Sequence, residues 1–427
     1  MLRSMFSGVS GLRSHQTMMD VIGNNIANVN TVGYKSSSTV FQDLLSQTLR
    51  GAGAPTDGAA GNGGTNPASV GLGVRVAGVS TSFTQGAAQL TGRSTDLSIQ
   101  GDGFFVVRQQ GQQLFTRAGS LSFDAMGRLT TSDGAVLQGW SADATGNINT
   151  NAGVRDLTMP LGQAIKPTAT SNIGVGGNLP ADAPVDATGA TAGSKVVSSI
   201  TVYDDQGTPR DVTFTFVHSA ANEWTATATM PDGTGAPVSV GGPAAYTWSL
   251  TPSPGWAAPP AMTITPTAAV GEFTGTIAVD FGVATDPDSL AQYSGASTVA
   301  ALGQDGAALG SLQSFNIGQD GIVTGVFSNG KTRPIGQVAL AGFANPVGLE
   351  KVGASLYRAS VNSGLAAVGT AGNGGRGVLA GSTLEMSNVD LAQEFTNLIV
   401  AQRGFQAATR VITASDEILT DLVNMAR

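Results

Sequence analysis

Apolar residues recur every seventh position at both ends of the chain, and alternate with polar ones through much of the middle. Near the N-terminus Met5, Leu12, Met19 and Ile26 form one row; Leu2 and Val9 start a second, which the polar Gln16 interrupts. A seven-residue apolar period predicts an amphipathic helix with a coiled-coil-like seam. Gly8, Gly11 and Gly23 fall inside it. Each weakens an isolated helix by about 1 kcal/mol relative to alanine, yet small residues let another backbone come close. At the C-terminus Leu384, Leu391, Leu398, Phe405, Ile412, Leu419 and Ala426 make an unbroken row. Phe395 and Val423 belong to a second row that Gln402, Thr409 and Asp416 interrupt. Ser387 and Asp390 stand at capping-box spacing, with Asp in place of the usual Glu or Gln. Asp390 and Glu394 lie at the positive end of the helix dipole and Arg427 at the negative end. The pattern predicts a helix of about 35 residues from near Val389. So narrow a stripe on so long a helix calls for a helical partner, and the N-terminal helix is the one expected.

The middle reads as β. Leu97-Ser-Ile99, Phe104-Phe-Val-Val107, Val196 to Tyr203 and Val212 to Val217 are strand-like, and Asp204-Asp-Gln-Gly207 marks a turn between the last two. From Gly51 to Gly71, seven of 21 residues are glycine. With so few bulky apolar groups this stretch predicts a linker or extended excursion, and Gly369 to Gly381 is similar.

The chain has 427 residues, a length that predicts about three domains. Hydrophobic residues make up 41% and charged ones 12%, which argues against a wholly disordered chain. The net charge of −8 argues against general nucleic-acid binding. That charge is not spread evenly. Residues 145–290 hold 12 acidic and 4 basic residues, so this segment carries all of it and the remainder is neutral. The same segment holds Trp224, Trp248 and Trp256, and is expected to be a β domain inserted into another. Cysteine is absent and the two histidines are His15 and His218, so disulfides, thiolate metal sites and a multi-histidine zinc site are not expected. No apolar run is long enough for a membrane-spanning helix, and the first residues lack the apolar core of a cleavable secretory signal.

Two motifs imitate nucleotide sites. Gly325-Val-Phe-Ser-Asn-Gly-Lys-Thr332 fits GxxxxGK[ST], but a P-loop needs a helix opening at the Lys-Thr. Here Asn329-Gly330 predicts a type I′ hairpin turn between a strand from Ile322 to Ser328 and another from Lys331 to Leu340. Gly372-Asn-Gly-Gly-Arg-Gly377 fits GxGxxG without the surrounding βαβ unit, and reads as a glycine-rich linker. The pairs Asp204/Asp205 and Asp286/Asp288 sit among turn residues, and His15 lies on a helix face without an acid or nucleophile partner. Nothing predicts an enzyme, a metal or a cofactor.

Several long motifs resemble those shared by bacterial flagellar rod, hook and hook-associated axial proteins. They are Asp20 to Lys35, including Asn24, Asn25, Ala27, Asn28, Thr31, Gly33 and Tyr34; Phe83-Thr-Gln-Gly86; Asp96 to Val107; Phe115-Thr-Arg-Ala-Gly119; Leu137-Gln-Gly-Trp140; and Glu385-Met-Ser-Asn-Val-Asp-Leu391 through Ala401-Gln-Arg-Gly-Phe-Gln-Ala407 to Met425. Within that family Val326-Phe-Ser-Asn-Gly330 and Gly342-Phe-Ala-Asn-Pro-Val-Gly-Leu349 look hook-like. The resemblance implies a mainly β fold with α-helical termini that pair as a coiled coil. Residues 1–27 and 383–427 would form an inner helical domain and 28–71 an extended connector. Residues 72–144 and 291–382 would form a middle β domain, with 145–290 the inserted outer one. It implies a homopolymeric tube serving as a bendable joint between rod and filament, with Leu2, Met5, Val9, Leu12, Met19, Ile26, Leu391, Phe395, Leu398, Phe405, Ile412 and Leu419 at the polymerisation interface. The implied partners are further copies of the chain, the distal rod protein, the hook cap, the hook-associated junction protein and the flagellar type III export apparatus, with no membrane insertion and a final place outside the cell. A distal rod protein is the alternative within the family, and a P-loop nucleotide-binding protein the alternative outside it.

Overall fold

The computed structural model describes residues 2–55, 63–143, 145–160, 164–221, 223–231, 237–239, 246–249, 262–266, 273, 275–282 and 288–425. Trp256, Asp286, Ala426, Arg427 and positions 56–62 of the glycine-rich stretch lie outside the described residues. Two helices bracket a β-rich chain: α1 (Leu2–Ala27) and α2 (Leu391–Met425). Asp390 is the N-cap of α2, its Oδ1 accepting bonds from the backbone N–H of Ala392 at 2.9 Å and of Gln393 at 3.2 Å. This corrects the capping-box expectation, because Ser387 Oγ serves the preceding turn, accepting from Val389 N at 3.3 Å.

The chain divides into two compact units, one of Met1–Met159, Phe315–Thr324 and Arg333–Arg427, the other of Pro160–Ser314 and Gly325–Thr332. The expected boundaries differ. Leu157 and Met159 are buried in the core of the first unit. Leu290–Tyr293 and Ala300–Gln304 pair with Asn172–Pro180 in the second. The helices, the connector and most of the middle β segments fall in one unit.

In the first unit Phe104–Gln109 pairs with Gln112–Thr116 and Val136–Ser141, and Leu340–Gly342 joins it at Phe104 and Phe105. Phe105, Val107, Leu137 and Leu340 enter one core; Phe104, Val106, Phe115 and Tyr357 enter a second on the opposite side, as period-two alternation requires. The ends of the expected connector are not a loose linker. Ser37–Asp43 pairs with Val74–Thr81, and Ser46–Arg50 with Ala68–Gly71, giving a two-stranded ribbon. The strand-forming residues Thr39, Val40, Phe41, Val74, Val76 and Val79 flank the glycines and supply the ladder. Likewise the stretch from Gly369 holds the strand Val378–Gly381, paired with Leu97–Gln100, and residues 372–377 form a loop closed by Gly372 N to Gly377 O at 3.0 Å.

In the second unit Lys195–Tyr203, Pro209–Ala220 and Glu223–Pro231 form an antiparallel sheet. Val212, Phe214, Phe216 and Trp224 share its core with Ile173, Val175 and Phe281. The Asp204–Gly207 turn forms as expected, with Gly207 N bonded to Asp204 O at 2.9 Å. The P-loop look-alike is a hairpin whose second strand, Thr332–Val338, stands where a helix would open. Its turn is not type I′: Gly330 has φ +76° while Asn329 keeps a negative φ, and Phe327 N bonds to Lys331 O at 3.0 Å. That is a type I turn completed by a left-handed glycine.

Candidate assembly interface

α1 and α2 pack antiparallel in one register. Ser4 Oγ lies 3.3 Å from Ser415 Oγ, and Asn25 Nδ2 donates to Glu394 Oε1 at 2.9 Å at the far end. Small residues set the spacing. A Cβ on Gly8 would stand 3.0 Å from Ile412 Cγ1, and one on Gly11 3.7 Å from the Cβ of Ala408. The His15 ring fills the space over Gly404. His15 is therefore inside the helix pair rather than on a free polar face, half-buried and 5.8 Å from the ring of Phe41.

The seven-residue rows meet the seam unevenly. Met5, Leu12, Met19 and Ile26 are half-buried, as are Leu398, Phe405, Ile412 and Leu419, whereas Val9, Leu391 and Phe395 are exposed. Leu2 begins α1. The buried positions are others: Gly8, Ser14, Ile22 and Asn25 on α1, Ala401 and Ser415 on α2. On α2, Val400, Val411, Ile418 and Leu422 form a separate apolar stripe, 45 to 57% exposed.

The signature after α1 builds a polar lock on the start of α2. Tyr34 Oη donates to Asn25 Oδ1 at 3.1 Å, and Asn24 Nδ2 donates to Tyr34 Oη at 3.1 Å. Asn25 Oδ1 also accepts from Ser37 N at 3.0 Å. Asn28 Nδ2 closes the helix end on Asn24 O at 2.9 Å, and Thr31 Oγ1 donates to Asn28 Oδ1 at 3.0 Å. Ala27 is the exposed last residue of α1. Gly33 has φ +67°, and a Cβ there would stand 2.6 Å from Ala118 N, so both conformation and space demand glycine. Burial, followed by the charge of Glu394, pushes the Tyr34 hydroxyl pKa up.

Beside this lock lies a buried ion cluster. Lys35 Nζ is 2.6 Å from Glu385 Oε1 and Arg117 Nη1 is 3.3 Å from Glu385 Oε2, with all three side chains at most 2% exposed. Lys35 also donates to Thr84 O at 2.6 Å; Gly86 N donates to Glu385 Oε1 at 3.0 Å. Burial pushes the Lys35 ammonium pKa down, opposed by its hydrogen bond to Glu385. Two cations against one carboxylate leave Glu385 as the group on which the cluster depends. Lys35, Arg117 and Glu385 each lie in one of the sequence motifs, but spacing alone gave no sign that they meet.

The similarities to known proteins follow the same segments. Residues 5–35 match the family described as flagella basal body rod protein, and 98–177 the flagellar hook protein FlgE/F/G D1 domain. Residues 171–307 match the flagellar basal body protein FlaE D2 domain, and 380–425 the flagellar basal body rod FlgEFG protein C-terminal family. Over all of both chains, the sequence is 41% identical to the flagellar hook protein FlgE of Treponema pallidum (strain Nichols). The chain belongs to the flagellar hook protein family. The FlgE hook protein of Borreliella burgdorferi (strain ATCC 35210 / DSM 4680 / CIP 102532 / B31) is 39% identical, again over all of both chains. The Helicobacter pylori flagellar hook protein FlgE2 shares the fold at a TM-score of 0.53 and 14% identity, covering 70% of this chain and 100% of that one. The hook family's D1 match contains Arg117, while its rod and C-terminal matches contain Lys35 and Glu385. The ion cluster thus joins three separately matched segments. Among the described residues no helix is long and apolar enough to cross a membrane.

Proposed function

We propose that the chain is the structural subunit of a bacterial flagellar hook, polymerising into a curved, flexible tube that transmits torque from rod to filament. The observation that carries this reading is the apolar stripe Val400, Val411, Ile418 and Leu422, which stays open beside a closed α1–α2 seam. Apolar surface of this extent gains free energy when a neighbouring copy covers it. Contacts between unlike surfaces that do not close a ring generate an open helical tube. In that tube the helix pairs form the inner wall as a coiled coil, with Leu398, Phe405 and Ile412 in the packed zone. Residues 145–290, which carry the net charge, supply polar contacts that break and re-form on bending.

The role is structural and requires no catalysis or cofactor. The partners are other copies, the distal rod protein, the hook cap and the hook-associated junction protein. Delivery runs through the flagellar type III export apparatus and the central channel to the outside of the cell. Electron microscopy of the purified full chain tests the reading. A hollow helical tube is expected; discrete closed oligomers, or monomers at every concentration, overturn it.

A further inference from the structure

We infer that the groove between α1 and the β-ribbon receives the C-terminal end of α2 from a second copy of this chain. This rests on the polymer reading above and names the two surfaces that meet. Phe6, Ser10 and Thr17 share one face of α1, distinct from the Gly8, Gly11 and His15 side that packs on α2. With Leu44 and Leu72 of the ribbon they line an open groove of about 560 Å³, and Phe6 is 69% exposed within it. Arg3 and Arg13 stand at its edges on α1, and Arg75 on the ribbon side. Among the described residues none of these three arginines forms an ion pair. Arg75 donates instead to Gln42 Oε1 at 3.0 Å.

α2 presents the complementary surface. Its register places Ser415 opposite Ser4, so its last turns run past the beginning of α1. At 1.5 Å per residue the overhang is about 12 Å long. Ile418, Leu422 and Met425 lie on one face of it and are 53, 50 and 82% exposed. Glu417 and Asp421, one helical turn apart, line an edge of that face. Neither has an ion-pair partner among the described residues. An apolar helix end edged by two carboxylates matches an apolar groove rimmed by guanidinium groups. The chain's own α2 does not fill its own groove: it lies on another side of α1, and its end runs away from residues 6–17. A second copy supplies the occupant.

Sedimentation of the purified full chain gives the critical concentration for assembly. Arg3→Glu with Arg13→Glu, or Glu417→Lys with Asp421→Lys, should each raise it about tenfold by placing like charges together. All four changes in one chain should restore it to within about threefold of the unsubstituted protein. The chain has no cysteine, so Phe6→Cys and Leu422→Cys chains, mixed and oxidised during assembly, should give a two-chain adduct. Reversals that leave assembly unchanged, a quadruple variant no better than the worse pair, or Phe6→Cys chains that join only one another all overturn the pairing. Unsubstituted protein that never sediments overturns the hook reading itself, which separates the two failures.

Discussion

The imidazole of His15 occupies the space that a side chain at Gly404 would need. A Cβ there would lie 2.4 Å from His15 Cε1 and 2.5 Å from Nε2. His15 Nδ1 is itself buried without a hydrogen-bond partner among the described residues. The helices therefore approach because one of them lacks a side chain at this level, and the glycine's cost in helix propensity is offset by the contact.

Gly404→Ala should fail to stabilise the helix pair even though alanine favours an isolated helix by about 1 kcal/mol. In a His15→Ala background the same change should stabilise by about that amount. Thermal unfolding followed by helical circular dichroism checks both. Equal effects in the two backgrounds would show that the ring and the glycine are not coupled.

Glu385→Gln should destabilise the first unit by about 3–5 kcal/mol, because Lys35 and Arg117 would remain buried around a neutral amide. The backbone N–H of Gly86 bonds to Glu385 Oε1 and that of Gly33 to Glu385 O. Hydrogen exchange at these two amides reads the loss directly. Exchange in Lys195–Tyr203 of the second unit should stay unchanged.

The helices and strands were legible because their apolar periods are local. Phe104-Phe-Val-Val107, Val212 to Val217 and the seven-residue rows of α1 and α2 each announce an element within a few turns or a few residues. The ribbon was obscured by glycines between its strand-forming ends. The pairing of His15 with Gly404 and of Lys35 with Glu385 was not legible, because the register between distant segments leaves no local period. Lysine and arginine are also rarely buried, so nothing local in the sequence marks Lys35 or Arg117 as part of a core. Their place in shared motifs was visible; their meeting at one carboxylate was not.

Asp305 ties Ser171 and Asn172 together in the second unit. Burial acts against its charged form, but hydrogen bonds from Ser171 and Asn172 hold the carboxyl down to about 2, below the ordinary 3.8. A depressed carboxylate pKa contributes stability that is full above the unfolded value and lost as pH falls through the folded one. Amide protection at Ser171 and Asn172 should therefore fall between about pH 4 and pH 2. Asp305→Asn should remove that dependence, with a cost below about 1 kcal/mol at neutral pH because the site is solvent-screened.

Lys331 donates from Nζ to Asp305 O at 3.4 Å and follows a hairpin turn rather than a phosphate-binding loop. ATP should not raise the melting temperature of the full chain, and Lys331→Ala should leave that result unchanged. Binding of ATP at millimolar or tighter affinity, lost in the variant, would contradict this assignment.

Phe405→Ala in the full chain, followed by sedimentation, tests the inner-helix account most directly. Phe405 lies mid-row and is half-buried before any second copy is added. Its truncation in a packed site costs about 3–5 kcal/mol, repeated in every subunit of a polymer. The variant should stay in the supernatant where the unsubstituted chain sediments as tubes, while its β-sheet circular dichroism is unchanged. A variant that sediments as normal tubes, or one whose β-sheets melt along with the helices, would contradict the account.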